Sequence, residues 1–152
     1  MKRARTLAAG VVMVSLALSV TACASGGGSS GACMPSSPLV DPETVRAGET
    51  VVVTVEGLNA REGCRASLAD GATYAVRLAS HTEMQAKTEI ELGSPSAQGA
   101  LTAEVEIPAD FPEGPVVLDI LVDGENLWCE LDPAVECGRS NAMIEVVGPE
   151  AG

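Results

Sequence analysis

Aromatic side chains are nearly missing from this chain. It has one tryptophan, one tyrosine, one phenylalanine and a single histidine in 152 residues. Base-stacking platforms need several exposed rings, and general acid–base catalysis leans on histidine, so both are short of material. Cations are scarce as well. Nine Lys and Arg face 21 Asp and Glu, and three of the nine (Lys2, Arg3, Arg5) lie in the first five positions. From Cys23 onward, six cations meet 21 acids, a net charge of −15. That balance excludes ordinary nucleic-acid binding and a broadly basic, membrane-clinging surface. A long apolar run is absent too. The longest, Leu7 to Val20, has 14 residues, short of the roughly 20 that a spanning helix needs.

What the N-terminus does contain is an address. A positive start, an apolar stretch and small residues at Thr21 and Ala22 have the layout of an export signal. Val20-Thr21-Ala22-Cys23 resembles the lipobox of bacterial lipoproteins. That resemblance implies cleavage before Cys23, a diacylglyceryl thioether on Cys23 and a mature chain held to the cell membrane, facing away from the cytoplasm. Two or more acyl chains anchor stably where one does not. Residues Ala24 to Ala32 (ASGGGSSGA) cannot bury apolar surface and read as a flexible tether, with an r.m.s. reach of roughly 15–18 Å. The expected layout is a signal peptide over 1–22, lipidated Cys23 and tether over 23–36, one folded domain over 37–148 and a tail over 149–152.

The mature region alternates apolar and polar residues with period two. Glu49 to Glu56 (ETVVVTVE), Glu83 to Leu92, Ala100 to Ile107 and Val116 to Val122 each offer one apolar and one polar face, the pattern of half-buried strands. Gly- and Pro-containing turns separate them. Seven strands are predicted: A, Leu39–Val45; B, Thr50–Leu58; C, Tyr74–Ala79; D, Glu83–Leu92; E, Ala100–Ile107; F, Val116–Val122; G, Ala142–Val147. The expectation is a single all-β, antiparallel sandwich.

Leu39 to Leu58 (LVDPETVRAGETVVVTVEGL) resembles the opening of secreted Ig-like domains, and Ile107 to Val122 (IPADFPEGPVVLDILV) resembles their E–F corner. A weaker resemblance is to the neocarzinostatin-type chromophore-binding apoproteins. It rests on the strand before Gly57-Leu58 and on Trp128 followed by the Cys129-to-Cys137 loop. The first likeness implies an Ig-like fold. The second implies an alternative role, carriage of a small apolar ligand.

Export permits disulfides. With Cys23 lipidated, Cys33, Cys64, Cys129 and Cys137 allow three pairings. Cys129 and Cys137 bound CELDPAVEC, whose Asp132-Pro133 makes a turn, so a local bridge is simplest, and Cys33–Cys64 then follows. In an Ig-like sandwich all four cysteines come to one end, however, so sequence separation alone leaves the other pairings open. The F–G connection, Asp123 to Asn141, is longer than a hairpin needs. It carries the only tryptophan. Trp128, Glu130 and Asp132, with Arg61 and Arg65 of the B–C loop, form the candidate binding loop; the competing role for Trp128 is a plug at the end of the core. Ser80-His81 has no visible triad partner. His81 and Met84 are soft donors, but Met84 falls on the apolar face of strand D, which assigns it to the core. Asp119, Asp123, Glu125 and Asn126 lack an EF-hand spacing. No catalytic residue, metal or cofactor is assigned. The expected function is non-catalytic binding to an envelope protein or polymer, not to nucleic acid.

Overall fold

A computed structural model describes residues 30–148; the expected signal peptide, Cys23 and the tail beyond 148 lie outside them. The elements are β1 (Leu39–Asp41), β2 (Thr44–Arg46), β3 (Thr50–Val55), β4 (Thr73–Ser80), β5 (Lys87–Gly93), β6 (Leu101–Glu106), β7 (Gly114–Asp123), α1 (Trp128–Leu131) and β8 (Asn141–Val147). They form two sheets, ordered β1-β3-β6 and β2-β8-β7-β4-β5. The alternation places Val51, Val53 and Val55 of β3 against Tyr74, Val76 and Leu78 of β4, Val116, Leu118 and Ile120 of β7, and Ile144 and Val146 of β8, all buried in one core. The fold is an all-β sandwich of two packed sheets.

Four expectations change in detail. The single strand A is two strands. Pro42 has no N–H to give a ladder, and at Asp41-Pro42 the chain leaves β1 in the first sheet and enters β2 in the second. β2 then pairs in parallel with β8, Val45 opposite Val146, so the sandwich has eight strands and is not wholly antiparallel. Strand B stops at Val55, and Leu58 instead forms an isolated bridge with Pro35. Strand D starts later than its alternation suggests. Residues 83–86 form a turn in which the Ser80 hydroxyl accepts from the Glu83 amide at 3.0 Å and the Ala86 amide donates to the Glu83 carbonyl at 2.9 Å. Met84 consequently points outward, 84% exposed, rather than packing in the core. Finally, the folded body begins at Gly31. Gly31, Ala32, Cys33 and Pro35, all on the tether side of the expected boundary at 37, are buried.

Candidate functional site

Three segments meet at the end of the sandwich where β3 leads to β4 and β7 leads to β8. Residues 31–33 run between the other two like a short central strand. Ala32 donates its amide to the Asn126 carbonyl (2.9 Å) and accepts from the Trp128 amide (2.9 Å). On the other side, the Cys33 amide donates to the Arg65 carbonyl and the Arg65 amide to the Gly31 carbonyl, both at 2.9 Å. Gly31 is required by contact. A Cβ there would lie 2.5 Å from the Trp128 nitrogen.

Covalent bonds reinforce the junction. Cys33 is bridged to Cys64 and Cys129 to Cys137, the simplest of the pairings that the sequence left open. The first ties the entering chain to the B–C loop; the second closes the F–G loop on itself.

The polar candidates divide into two groups. Arg65, Glu130 and Asp132 hold the loops in shape. The Arg65 guanidinium donates to the Ser67 carbonyl (2.9 Å) and to the carboxylate of Glu125. Glu125, 8% exposed, also accepts from the amides of Ala69 (2.7 Å) and Asn126 (3.0 Å). Burial pushes its pKa up, but the Ala69 amide, the Arg65 guanidinium and the Asn126 amide outweigh that and hold it below the ordinary carboxylate value. The Glu130 carboxylate accepts from the Leu127 amide at 2.9 Å and caps α1. Asp132 Oδ1 accepts from the Ala134 amide at 3.0 Å, a side-chain turn.

Trp128 and Arg61 are the remaining pair. Leu127 and Cys129, on either side of Trp128, enter the core. The indole itself is half-buried and lies on the B–C loop. Its Cζ2 would stand 2.8 Å from a Cβ at position 63, where Gly63 has φ +98°, so only glycine admits both the backbone turn and the ring. The Arg61 guanidinium sits 4.8 Å from the ring centroid, a cation–π contact. Trp128 is thus neither a free tip nor a plug of the core. It is an amphipathic wall facing one loop.

Arg61 also lines a cleft of about 200 Å³, with Met34, Pro35, Asn59, Glu136, Gly138 and Arg139. Sequence reasoning missed Arg139, because nothing in GRS marks it and its cleft is completed by Met34, Pro35, Asn59 and Arg61, distant in sequence. Among the described residues no group of three or more His, Cys, Asp or Glu is placed to hold a metal ion. Searches against family models, curated proteins and solved structures find no match to this chain.

Proposed function

We propose that the chain is a lipid-anchored, extracytoplasmic binding protein without catalytic chemistry of its own, and that the end of the sandwich carrying Arg61 and Trp128 is its recognition surface. The observation behind this is how the fixing interactions are distributed. Both disulfides, the Arg65–Glu125 pair and the buried Gly31–Cys33 segment converge on that one end, and they pre-order an aromatic–arginine pair that stays accessible. Such pre-ordering lowers the entropic cost of binding, and Trp and Arg are the side chains most used for that work. The lipobox supports the anchor. Seven residues separate Cys23 from Gly31 and span at most about 25 Å, so the recognition end lies close to the membrane. The cleft that Arg61 lines is shallow and edged by Arg61 and Arg139, which favours an envelope component over an engulfed apolar ligand.

The test has two parts. Mass spectrometry of the N-terminal peptide of the exported protein should show it beginning at Cys23 with a diacylglyceryl group on the sulfur; an unmodified Cys23 would refute the anchor. Trp128→Ala should weaken co-sedimentation with isolated, membrane-stripped envelopes roughly tenfold, as for a binding hot spot, with the unfolding transition still cooperative. Unchanged co-sedimentation would refute the recognition surface.

A further inference from the structure

The distribution of the few cations carries more. Six Lys and Arg lie beyond Cys23. Arg65 is held by Glu125, and Arg46, beside Glu49, belongs to the far end of the sandwich with Phe111 and Pro112. Of the other four, Arg61, Arg139 and Arg77 line clefts on one side of the molecule, and Lys87 lies further along the same sheet, where it also borders Phe111 and Pro112. Arg61 and Arg139 line the cleft of about 200 Å³. Arg139 also lines a second cleft of about 420 Å³ that runs onto the outer face of the five-stranded sheet and includes Arg77 and Lys87. The two clefts share Met34, Gly138 and Arg139, so they adjoin and make a two-part groove.

Pairing makes the pattern sharper. In a chain with acids in such excess, every cation has carboxylates to choose from. Yet among the described residues the side chains of Arg61, Arg139 and Lys87 make no ion pair, and only Arg77 does, to Glu89 at 2.9 Å. Two acids, Glu136 and Asp119, also line the groove and set its limits by repelling a ligand charge placed against them. Elsewhere the molecule repels anions. At physiological ionic strength that repulsion fades over about 8 Å, so the groove's own cations decide what binds inside it.

We infer that this groove binds a linear polyanion carrying phosphate groups at intervals, laid from the Trp128 end along the outer face of the sheet past Arg139 to Arg77 and Lys87. Arginine forks match phosphate oxygens in two-point contacts, and successive cations along a shallow groove suit successive charges on a chain rather than one compact anion. A flat anionic membrane fits less well, since it would meet the whole acidic surface instead of the groove alone. The inference rests on the recognition surface proposed above and names its ligand class.

The experiment is titration of the full exported protein, purified in neutral detergent, with medium-chain inorganic polyphosphate, with inorganic phosphate and with vesicles containing phosphatidylglycerol. Saturable binding of polyphosphate is expected, with inorganic phosphate weaker by roughly tenfold or more. Losing one charge-assisted contact should cost roughly tenfold in Arg139→Ala and several-fold in Lys87→Ala. Arg46→Ala removes the same charge from the other end and should change little. No saturable polyphosphate binding, an equal loss in Arg46→Ala, inorganic phosphate binding as tightly as the polymer, or binding to vesicles alone would each overturn the inference. If polyphosphate fails while Trp128→Ala still weakens envelope binding, the ligand class is wrong and the recognition surface stands.

Discussion

At the scale of single residues, two ionisable groups give the fold opposite limits in pH. Tyr74 is the only tyrosine; it is fully buried and donates its hydroxyl to the Gly99 carbonyl at 3.0 Å. Burial raises its pKa to about 12. The unfolded chain releases this proton near pH 10 and the folded chain does not, so stability falls by about 1.4 kcal/mol per pH unit between those values. Tyr74→Phe should lose about 1 kcal/mol at neutral pH and lack this alkaline decline in urea unfolding. Glu125 works from the other side. Its pKa is lowered, so its contribution is present above the ordinary carboxylate range and disappears as acid protonates the folded form. Glu125→Gln should cost about 2 kcal/mol at pH 7, the scale of hydrogen bonds to a charged group. The gap from the parent protein should close as the pH falls below the ordinary carboxylate range; a gap independent of pH would mean that shape, not charge, is what Glu125 supplies.

Elements differ in how plainly the sequence announces them. Strands β6 and β7 were legible because each alternates over its whole length and both of its ends are marked by Pro or Gly. The segment Glu83–Ala86 alternates as well, but its backbone turns on the Ser80 hydroxyl, and a periodicity argument has no means of weighing one side-chain hydrogen bond. The change of sheet at Pro42 was hidden for a related reason: alternation says which residues face inward, not which sheet they face from. At the candidate site, the cysteines and Trp128 were visible by rarity. The Arg65–Glu125 pair joins positions 60 apart in sequence, and Arg139 gains its meaning only from loops folded beside it. The two bridges should also differ. The Cys33–Cys64 loop, with a separation of 31, restricts the unfolded chain more than Cys129–Cys137, with a separation of 8. Loop-closure entropy gives about 3.7 and 2.6 kcal/mol respectively. Thermal unfolding of the two double Cys→Ser variants should rank them in that order, and the reverse order would show that the F–G loop holds more than itself.

For the molecule as a whole, the net charge of −15 beyond Cys23 is a standing self-repulsion. Raising sodium chloride from about 10 to about 200 mM shortens the Debye length from roughly 30 to 7 Å and should raise the unfolding temperature. A fall would mean that the few ion pairs outweigh the acidic surface. The placement of the entering segment has a mechanical consequence as well. Tension applied through the N-terminal side reaches the sandwich at Ala32 and Cys33, between two loops rather than at the free edge of a sheet. The Cys33–Cys64 bond passes that load straight into the B–C loop and so into β4, a central strand flanked by β7 and β5. β1, the short edge strand that a pull along the chain would otherwise unzip first, is shielded behind a covalent shunt. A pull from the N-terminal side therefore loads the middle of the five-stranded sheet before the edge of the three-stranded one.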